Sequence, residues 1–250
     1  MAVTRHILVG AVLVAGACGP APIDAVGLAP ASVARGLVAH WKLDEGAGNV
    51  ANDNSSNGHD GQLTGGKWVA QGRFGGALAL ATGDWVAVPN FPQASQNWTV
   101  SLWTYLTAAD LTGQPETLLS TENVFAGGWQ MHLDDRVGYN RFDAAYWLGD
   151  PMSDYVVLFC DCIEADVWIN LTAVFDGAAA QFALYRNGVQ VGRTGMPHLI
   201  APGDSTLYFG RWNMSERLFS GTLDDIAIWN RALTPEEIAI VTRQSPPDAE

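Results

Sequence analysis

The chain has 250 residues, with 26 acidic against 13 basic side chains and a formal net charge of −13 at neutral pH. This length gives room for one all-β sandwich of ordinary size and a leader, and it excludes a second catalytic domain. Binding to a phosphate backbone requires clustered Lys and Arg. The sequence contains no such cluster, so we expect no nucleic-acid partner.

Residues 1–18 are typical of a signal peptide. Arg5 and His6 precede an apolar run from Ile7 to Ala17, which is too short to span a bilayer. The Ala15-Gly16-Ala17-Cys18 run resembles a bacterial lipobox, which predicts lipidation of Cys18. Ordinary signal cleavage after Ala17 is the alternative. We therefore expect an exported protein of the bacterial cell envelope, either lipid-anchored or free in the periplasm or outside the cell.

A Pro/Ala-rich segment follows over residues 19–36, with Pro20, Pro22 and Pro30 and almost no charge. A segment of this composition cannot bury a core, and we expect it to tether the domain to the membrane. The lipid anchor would then be the only membrane contact. The folded domain is predicted over residues 37–244, with a short tail over 245–250.

Apolar residues at alternate positions predict strands over Val100 to Leu106, Val167 to Phe175 and Leu207 to Trp212. The Asn187-Gly188 pair, between two further strand-like runs, predicts a hairpin, because a type I′ turn needs a positive φ at both central residues.

Only the segment beginning at Thr234 has the pattern of a helix. Thr234 supplies an N-cap hydroxyl, Pro235 fits the first helical position, and Glu237 completes a capping box ahead of Ile238 and Val241.

Two stretches at opposite ends of the domain, Gly36 to Gly61 and Gly221 to Ile238, are the most informative. Between them stand GKWVAQGRFGGALAL, GDWVAVP, NWTVSLWTYL, GGWQMHL and YRNGVQVG in that order. In this order the phrases resemble the LamG-like jelly roll of the concanavalin A-like superfamily, which also holds laminin G domains and pentraxins. The resemblance implies an all-β, two-sheet antiparallel jelly-roll sandwich with one short C-terminal helix, whose first and last strands are neighbours.

The resemblance also implies a structural Ca²⁺. Calcium binds six to eight oxygen ligands, and the positions that match the family's motifs are Asp44, Asp53, Asp224 and Asp225. The alternative is that Asp53 forms a turn by bonding its own backbone and that Asp224 or Asp225 faces solvent.

Catalysis has little support in the sequence. Glu164 and Asp166 would lie on one face of an extended strand, similar to the carboxylate strand of sandwich-fold glycosidases, but Trp168 occupies the position of the third carboxylate. We expect a non-enzyme, with a glycoside hydrolase or polysaccharide lyase as the lesser alternative.

Carbohydrate sites stack aromatic rings on sugars and fix hydroxyls with polar groups. Most of the ten tryptophans fit core positions, whereas Trp147 and Trp212 are predicted to lie in loops or at strand ends. With Asn213 they form the predicted ligand-binding residues. The predicted function is therefore a binding module for a carbohydrate or glycoprotein, and the alternative is a structural or adhesive protein contact.

Cys160 and Cys162 remain if Cys18 is lipidated. Residues two apart in a strand face the same side at a distance near the upper limit for a disulfide. Either a bridge or two reduced thiols fits the sequence.

Overall fold

Two antiparallel sheets form the part of the chain that the computed structural model describes, namely residues 31–94, 96–121, 127–147, 155–196, 200–203, 205–212 and 217–247. The leader with Cys18, most of the tether and Asn213 lie outside these residues. Lipidation and export therefore stay predictions from the sequence.

The strands are short in the first third of the chain and longer after it. Their bounds are β1 Leu37–Trp41, β2 Val50–Ala51, β3 Gly61–Thr64, β4 Lys67–Val69, β5 Ala77–Leu80, β6 Trp85–Val88, β7 Asn97–Tyr105, β8 Pro115–Ser120, β9 Trp129–Asp134, β10 Arg141–Trp147, β11 Tyr155–Cys160, β12 Trp168–Asp176, β13 Gln181–Arg186, β14 Val189–Gly195, β15 Leu207–Phe209 and β16 Gly221–Trp229. The helices are α1 Ala31–Ala34 and α2 Pro235–Val241.

The first sheet has the order β14-β13-β12-β7-β16-β5-β4, and β1 pairs with the C-terminal half of β16. The second sheet has the order β11-β10-β9-β8-β15-β6-β3-β2. Every pair is antiparallel, and β1 and β16 are neighbours as predicted. This architecture confirms the predicted all-β sandwich of two antiparallel sheets.

Several strands, one hairpin turn and the start of α2 lie where the sequence predicted them. The three predicted strands correspond to β7, β12 and β15, although β15 ends three residues earlier than expected, at Phe209. Asn187 and Gly188 both have positive φ and join β13 to β14 in the predicted hairpin. Thr234 and Glu237 form the capping box of α2.

Aromatic rings fill the space between the two sheets. The indole ring of Trp41 meets the ring of Phe209 edge-on at a centroid distance of 4.9 Å. Phe175 and Phe182 stack at 4.6 Å, and Tyr146 packs edge-on against both rings. Aromatic side chains of the two sheets thereby pack directly against each other in the core.

A second apolar cluster covers part of the outer face of the first sheet. Ile238 and Val241 of α2 pack with Trp229, Tyr185 and Val33. The sequence did not predict α1, which carries Val33. The backbone carbonyl of Val33 accepts a hydrogen bond from the Trp229 indole N–H at 2.7 Å.

The segment before β12 differs from the sequence expectation. Asp166 has a φ of 62° in a turn, and Glu164 pairs with Arg186 at 2.8 Å, so the two carboxylates do not share one face of an extended strand. The strand prediction was wrong here, because Asp166 has a left-handed backbone conformation and forms a turn just before β12 begins at Trp168. Cys160 and Cys162 are joined by a disulfide, with their Cα atoms 5.2 Å apart.

Candidate functional site

The outer face of the second sheet carries a group of buried polar side chains. Along β9, Trp129, Met131 and Leu133 point into the core, so the residues between them point outward. We define the polar face by these outward residues and their cross-strand neighbours: Thr117, Gln130, His132, Asp134 and Asp143. All five are nearly or fully buried although they face away from the core.

His132 and Asp143 form the centre of the polar face. They stand opposite each other on β9 and β10, and His132 Nδ1 lies 2.5 Å from a carboxylate oxygen of Asp143. Asp143 is 1% exposed. The Arg141 guanidinium lies 3.7 Å from its other oxygen and stacks over the rings of Tyr139 and Phe159. The centre therefore places a carboxylate, an imidazole and a guanidinium side by side.

Asp134 is the last residue of β9 and lies at one end of the polar face. Arg136 donates two side-chain hydrogen bonds to its carboxylate, at 2.9 and 2.7 Å, and these bonds hold the pKa of Asp134 below its ordinary value. This ion pair is satisfied internally.

Several polar atoms of the polar face have no hydrogen-bond partner within the described part of the chain. They are Gln130 Oε1, Thr117 Oγ1 and Asp143 Oδ2. A buried polar group without a partner costs about 1–3 kcal/mol, and native structures contain few of them. Three such atoms on one face make the polar face the candidate site.

An aromatic pair lies beside these polar groups. Trp147 lies on the same side of β10 as Asp143, because the two residues are four apart in the strand. Its ring stacks on Tyr155 at a centroid distance of 5.7 Å. Trp147 is the last residue of β10 and is 8% exposed, so it lies at a strand end as predicted but mostly buried.

Trp212 follows β15 and is partly buried. The Arg217 guanidinium stacks over its ring at 5.1 Å, and its indole N–H is buried without a partner among the described residues. Arg211 stacks in turn over Trp85 and Tyr208, whose side chains flank the polar face from β6 and β15. Aromatic and cationic groups thus stand on both sides of the buried polar centre.

The sequence pointed to Trp147 and Trp212 but missed Gln130, His132 and Asp143. The available signal was the alternation of Gln130, His132 and Asp134 with core residues in β9. Their meaning depends on Asp143, which only the pairing with β10 reveals.

The four aspartates predicted to bind calcium occupy three different places. Asp53 accepts backbone hydrogen bonds from His40 of β1 and from Ser55 and His59 of its own loop. Burial acts to raise its pKa, but these bonds hold it below the ordinary value. Asp225 pairs with His40 at 2.9 Å on β1.

Asp44 and Asp224 both hold the loop over residues 72–76. Asp44 accepts a hydrogen bond from the Gly76 N–H at 2.5 Å, and Asp224 accepts from the Arg73 and Phe74 N–H groups at 2.6 and 2.9 Å. Asp224 is fully buried and its Oδ1 has no partner among the described residues. Burial raises the pKa of Asp224 to about 8, and the charges of Asp225 and Asp44 add to this effect.

These donors do not fit a shared calcium site of four aspartates. Among the described residues no group of three or more His, Cys, Asp or Glu could hold a metal ion. Asp53 and Asp225 bond to other partners, and of the four aspartates Asp224 alone has a buried carboxylate oxygen, Oδ1, that forms no hydrogen bond with any described residue.

A model of the concanavalin A-like lectin/glucanases superfamily matches residues 80–239, which is more than half of the chain. The chain belongs to this superfamily. Its membership confirms the resemblance seen in the sequence, including the jelly-roll sandwich. No curated protein matches the chain.

Several solved structures share the fold of this superfamily member. The binding domain of botulinum neurotoxin serotype D has 16% sequence identity and a TM-score of 0.67, with 85% of this chain and 52% of that chain covered. The binding domain of Paraclostridial Mosquitocidal Protein 1 has 17% identity and a TM-score of 0.68, with 84% and 52% covered. The serotype D ligand binding domain in complex with N-acetylneuraminic acid has 18% identity and a TM-score of 0.66, with 86% and 52% covered.

The chain therefore spans about half the length of these binding domains. At such low identity the similarity shows the fold and not a shared ligand. The similar structures are binding domains and not catalytic ones. No helix in the described residues is long and apolar enough to cross a membrane.

Proposed function

We propose that the domain is a non-catalytic binding module that recognises a carbohydrate, or the glycan of a glycoprotein, on the polar face. The observation that supports this proposal is the set of buried oxygens on that face that form no hydrogen bond within the described residues, Gln130 Oε1, Thr117 Oγ1 and Asp143 Oδ2. Sugar hydroxyls donate hydrogen bonds and would satisfy such acceptors.

The aromatic side chains supply the second half of a sugar site. Carbohydrate pockets combine ring faces with a few placed polar groups. Trp147 and Tyr155 stand along β10 and β11, and Tyr208 stands on β15. Neighbouring strands are about 4.8 Å apart, so the two aromatic groups are on the order of 15 Å apart across the sheet. This spacing favours a ligand of several sugar units over a single one.

A glycan array tests the proposal. The wild-type domain is expected to bind a narrow set of oligosaccharides. Gln130→Leu, which keeps the side-chain size and removes the buried acceptor, is expected to lose most of the signal. Gln62→Leu is the matched control, because Gln62 lies exposed on β3 of the same sheet, away from the polar face. Absence of glycan binding by the wild type would instead favour a protein-contact role.

Catalysis remains the lesser alternative. Glu164 is exposed and paired with Arg186, and Asp166 lies in a turn, so the two carboxyls do not form the facing pair that glycoside hydrolysis requires. Polysaccharide cleavage by the wild type that Glu164→Gln leaves intact would have to come from another site.

We further propose that a structural calcium binds at the loop over residues 72–76, where Asp44 and Asp224 supply the carboxylates. The unpartnered Oδ1 of Asp224 supports this position. Millimolar calcium should then raise the melting temperature of the wild type and leave that of Asp224→Asn unchanged. An array repeated in chelator shows whether the ion also affects glycan binding.

The module's place at the cell envelope is a proposal from the leader alone. The lipobox-like run ending at Cys18 supports it. Membrane fractionation of the full chain tests it, since Cys18→Ser should move the protein from the membrane to the soluble fraction.

A further inference from the structure

A cavity lies on the first sheet, away from the polar face. Its volume is about 350 Å³, and it opens on the outer face of the first sheet beside the end of α2. The residues that line it are Arg73, Trp103, Trp168, Asn187, Thr242 and Arg243. We refer to it as the arginine pocket.

The two guanidinium groups are the distinctive feature of the arginine pocket. The side chains of Arg73 and Arg243 are exposed, and neither forms an ion pair in the described part of the chain. In the same part of the chain, Arg136, Arg186 and Arg231 each pair with a carboxylate. In a chain with twice as many acidic as basic residues, two unpaired guanidiniums in one cavity favour an anion supplied from outside.

Arg73 is held in place by the fold. Its backbone N–H donates to the buried carboxylate of Asp224 at 2.6 Å, and its guanidinium lies 4.5 Å above the centre of the Trp103 ring. Trp103 stands beside Asp224 in the sheet, and Phe74 packs edge-on against the same indole. A positioned guanidinium loses less entropy on binding than a free one.

Among the remaining lining groups, the Asn187 amide and the two indoles can donate hydrogen bonds or offer a ring face, whereas the Thr242 hydroxyl already donates to the Ala239 carbonyl. Asn187 Oδ1 already accepts from the Asn170 N–H at 2.8 Å, which leaves the Asn187 side-chain NH₂ to donate. The indole N–H of Trp103 is buried without a partner in the described residues. Trp168 is partly exposed, and its ring centroid lies 5.5 Å from that of Tyr105, so Tyr105 supports the Trp168 ring.

We infer that the arginine pocket binds a carboxylated sugar, with the carboxylate between Arg73 and Arg243 and the sugar ring against Trp168. A free carboxylate or phosphate would use the guanidiniums, but it would leave the aromatic face and the Asn187 amide unused. This site lies on the opposite sheet from the polar face, so it does not rest on the function proposed above. The two can fail independently.

Titration of the domain with methyl β-glucuronide, followed by tryptophan fluorescence, tests the inference. The matched neutral probe is methyl β-glucoside, which differs only in the carboxylate. We expect the acidic sugar to bind at least about 10-fold more tightly, as charge-assisted hydrogen bonds contribute at this level. N-acetylneuraminic acid serves as a second carboxylated sugar, and N-acetylglycine as a carboxylate without a sugar ring.

Arg73→Gln and Arg243→Gln should each weaken binding of the preferred acidic sugar about 10-fold or more. Arg193→Gln, on the exposed side of β14, is the matched control and should bind as the wild type does. Because Arg73 and Arg243 are exposed, circular dichroism should show all three variants folded. Equal affinity for acidic and neutral sugars, equally tight binding of N-acetylglycine, no binding of either acidic sugar, or wild-type affinity in both pocket variants would overturn the inference.

Discussion

Replacing Asp224 by Asn should make the protein more stable at neutral and alkaline pH, with a gain that grows as pH rises from about 4 to about 8 and is constant above that. The Asp224 carboxylate is fully buried, accepts two backbone N–H groups through Oδ2 and has no partner at Oδ1 within the described part of the chain. Burial is the main cause that raises its folded-state pKa to about 8, from an ordinary value of 3.8. Asn keeps one oxygen for the Arg73 and Phe74 N–H groups and removes the charge.

The sign follows from proton linkage. Between pH 4 and pH 8 the folded state keeps a proton on Asp224 that the unfolded chain has released. The stability from this group is therefore complete below about pH 4 and is lost as pH rises through about 8. Each pKa unit corresponds to about 1.4 kcal/mol, so over three pH units the variant should gain up to about 4 kcal/mol relative to the wild type.

Urea unfolding measured by tryptophan fluorescence at pH 4.5, 6.0 and 7.5 gives the free energies of unfolding. The difference between Asp224→Asn and wild type should increase steadily over this range. Asp161→Asn, which removes an exposed carboxylate, is the control and should track the wild type. Parallel pH curves for Asp224→Asn and the wild type would show that the buried carboxylate does not titrate as its environment indicates.

Two further substitutions test the local structure by the same unfolding assay. Thr234→Ala removes the hydroxyl that accepts the Glu237 N–H at 3.3 Å and should cost about 1 kcal/mol, with Thr234→Ser close to wild type as the control. Unchanged stability in Thr234→Ala would mean that α2 does not depend on its cap. Gly72→Ala would place a Cβ 1.8 Å from the Gly76 carbonyl oxygen, so we expect a loss of more than about 2 kcal/mol. Gly195→Ala is the matched control, because Gly195, like Gly72, has no positive φ, and no atom lies within 4 Å of its added Cβ.

The elements predicted correctly from the sequence are those whose causes are local. The Asn187-Gly188 turn depends on the φ preference of two adjacent residues, and the start of α2 depends on Thr234 and Glu237, three residues apart. The pairing of β1 with β16 was predicted from a family resemblance, because no local pattern joins segments so far apart in sequence.

The candidate site was predicted only in part. Trp147 was singled out, and it lies on the polar face. Gln130 and Asp143 were not, because the cost of an unpartnered oxygen depends on burial and on neighbours from other strands. Asp224 shows the same limit, since its partners Arg73 and Phe74 are about 150 residues away in the chain.

The calcium prediction grouped aspartates by motif and not by contact. Asp53 accepts a hydrogen bond from the backbone N–H of His40, and Asp225 pairs with the imidazole of the same residue. Asp44 and Asp224 instead bond to the backbone of the loop over residues 72–76. The sequence places all four near the first and last strands, but it does not show which backbone N–H groups take up their oxygens.

The most direct test of the central claim is a crystal structure of the domain with an oligosaccharide selected on the array. The account predicts that the sugar lies on the outer face of the second sheet, with hydroxyls within hydrogen-bond distance of Gln130 Oε1 and Asp143 Oδ2 and a ring against Trp147 or Tyr155. An oligosaccharide bound elsewhere, with the polar face unchanged and in contact with solvent alone, would contradict it.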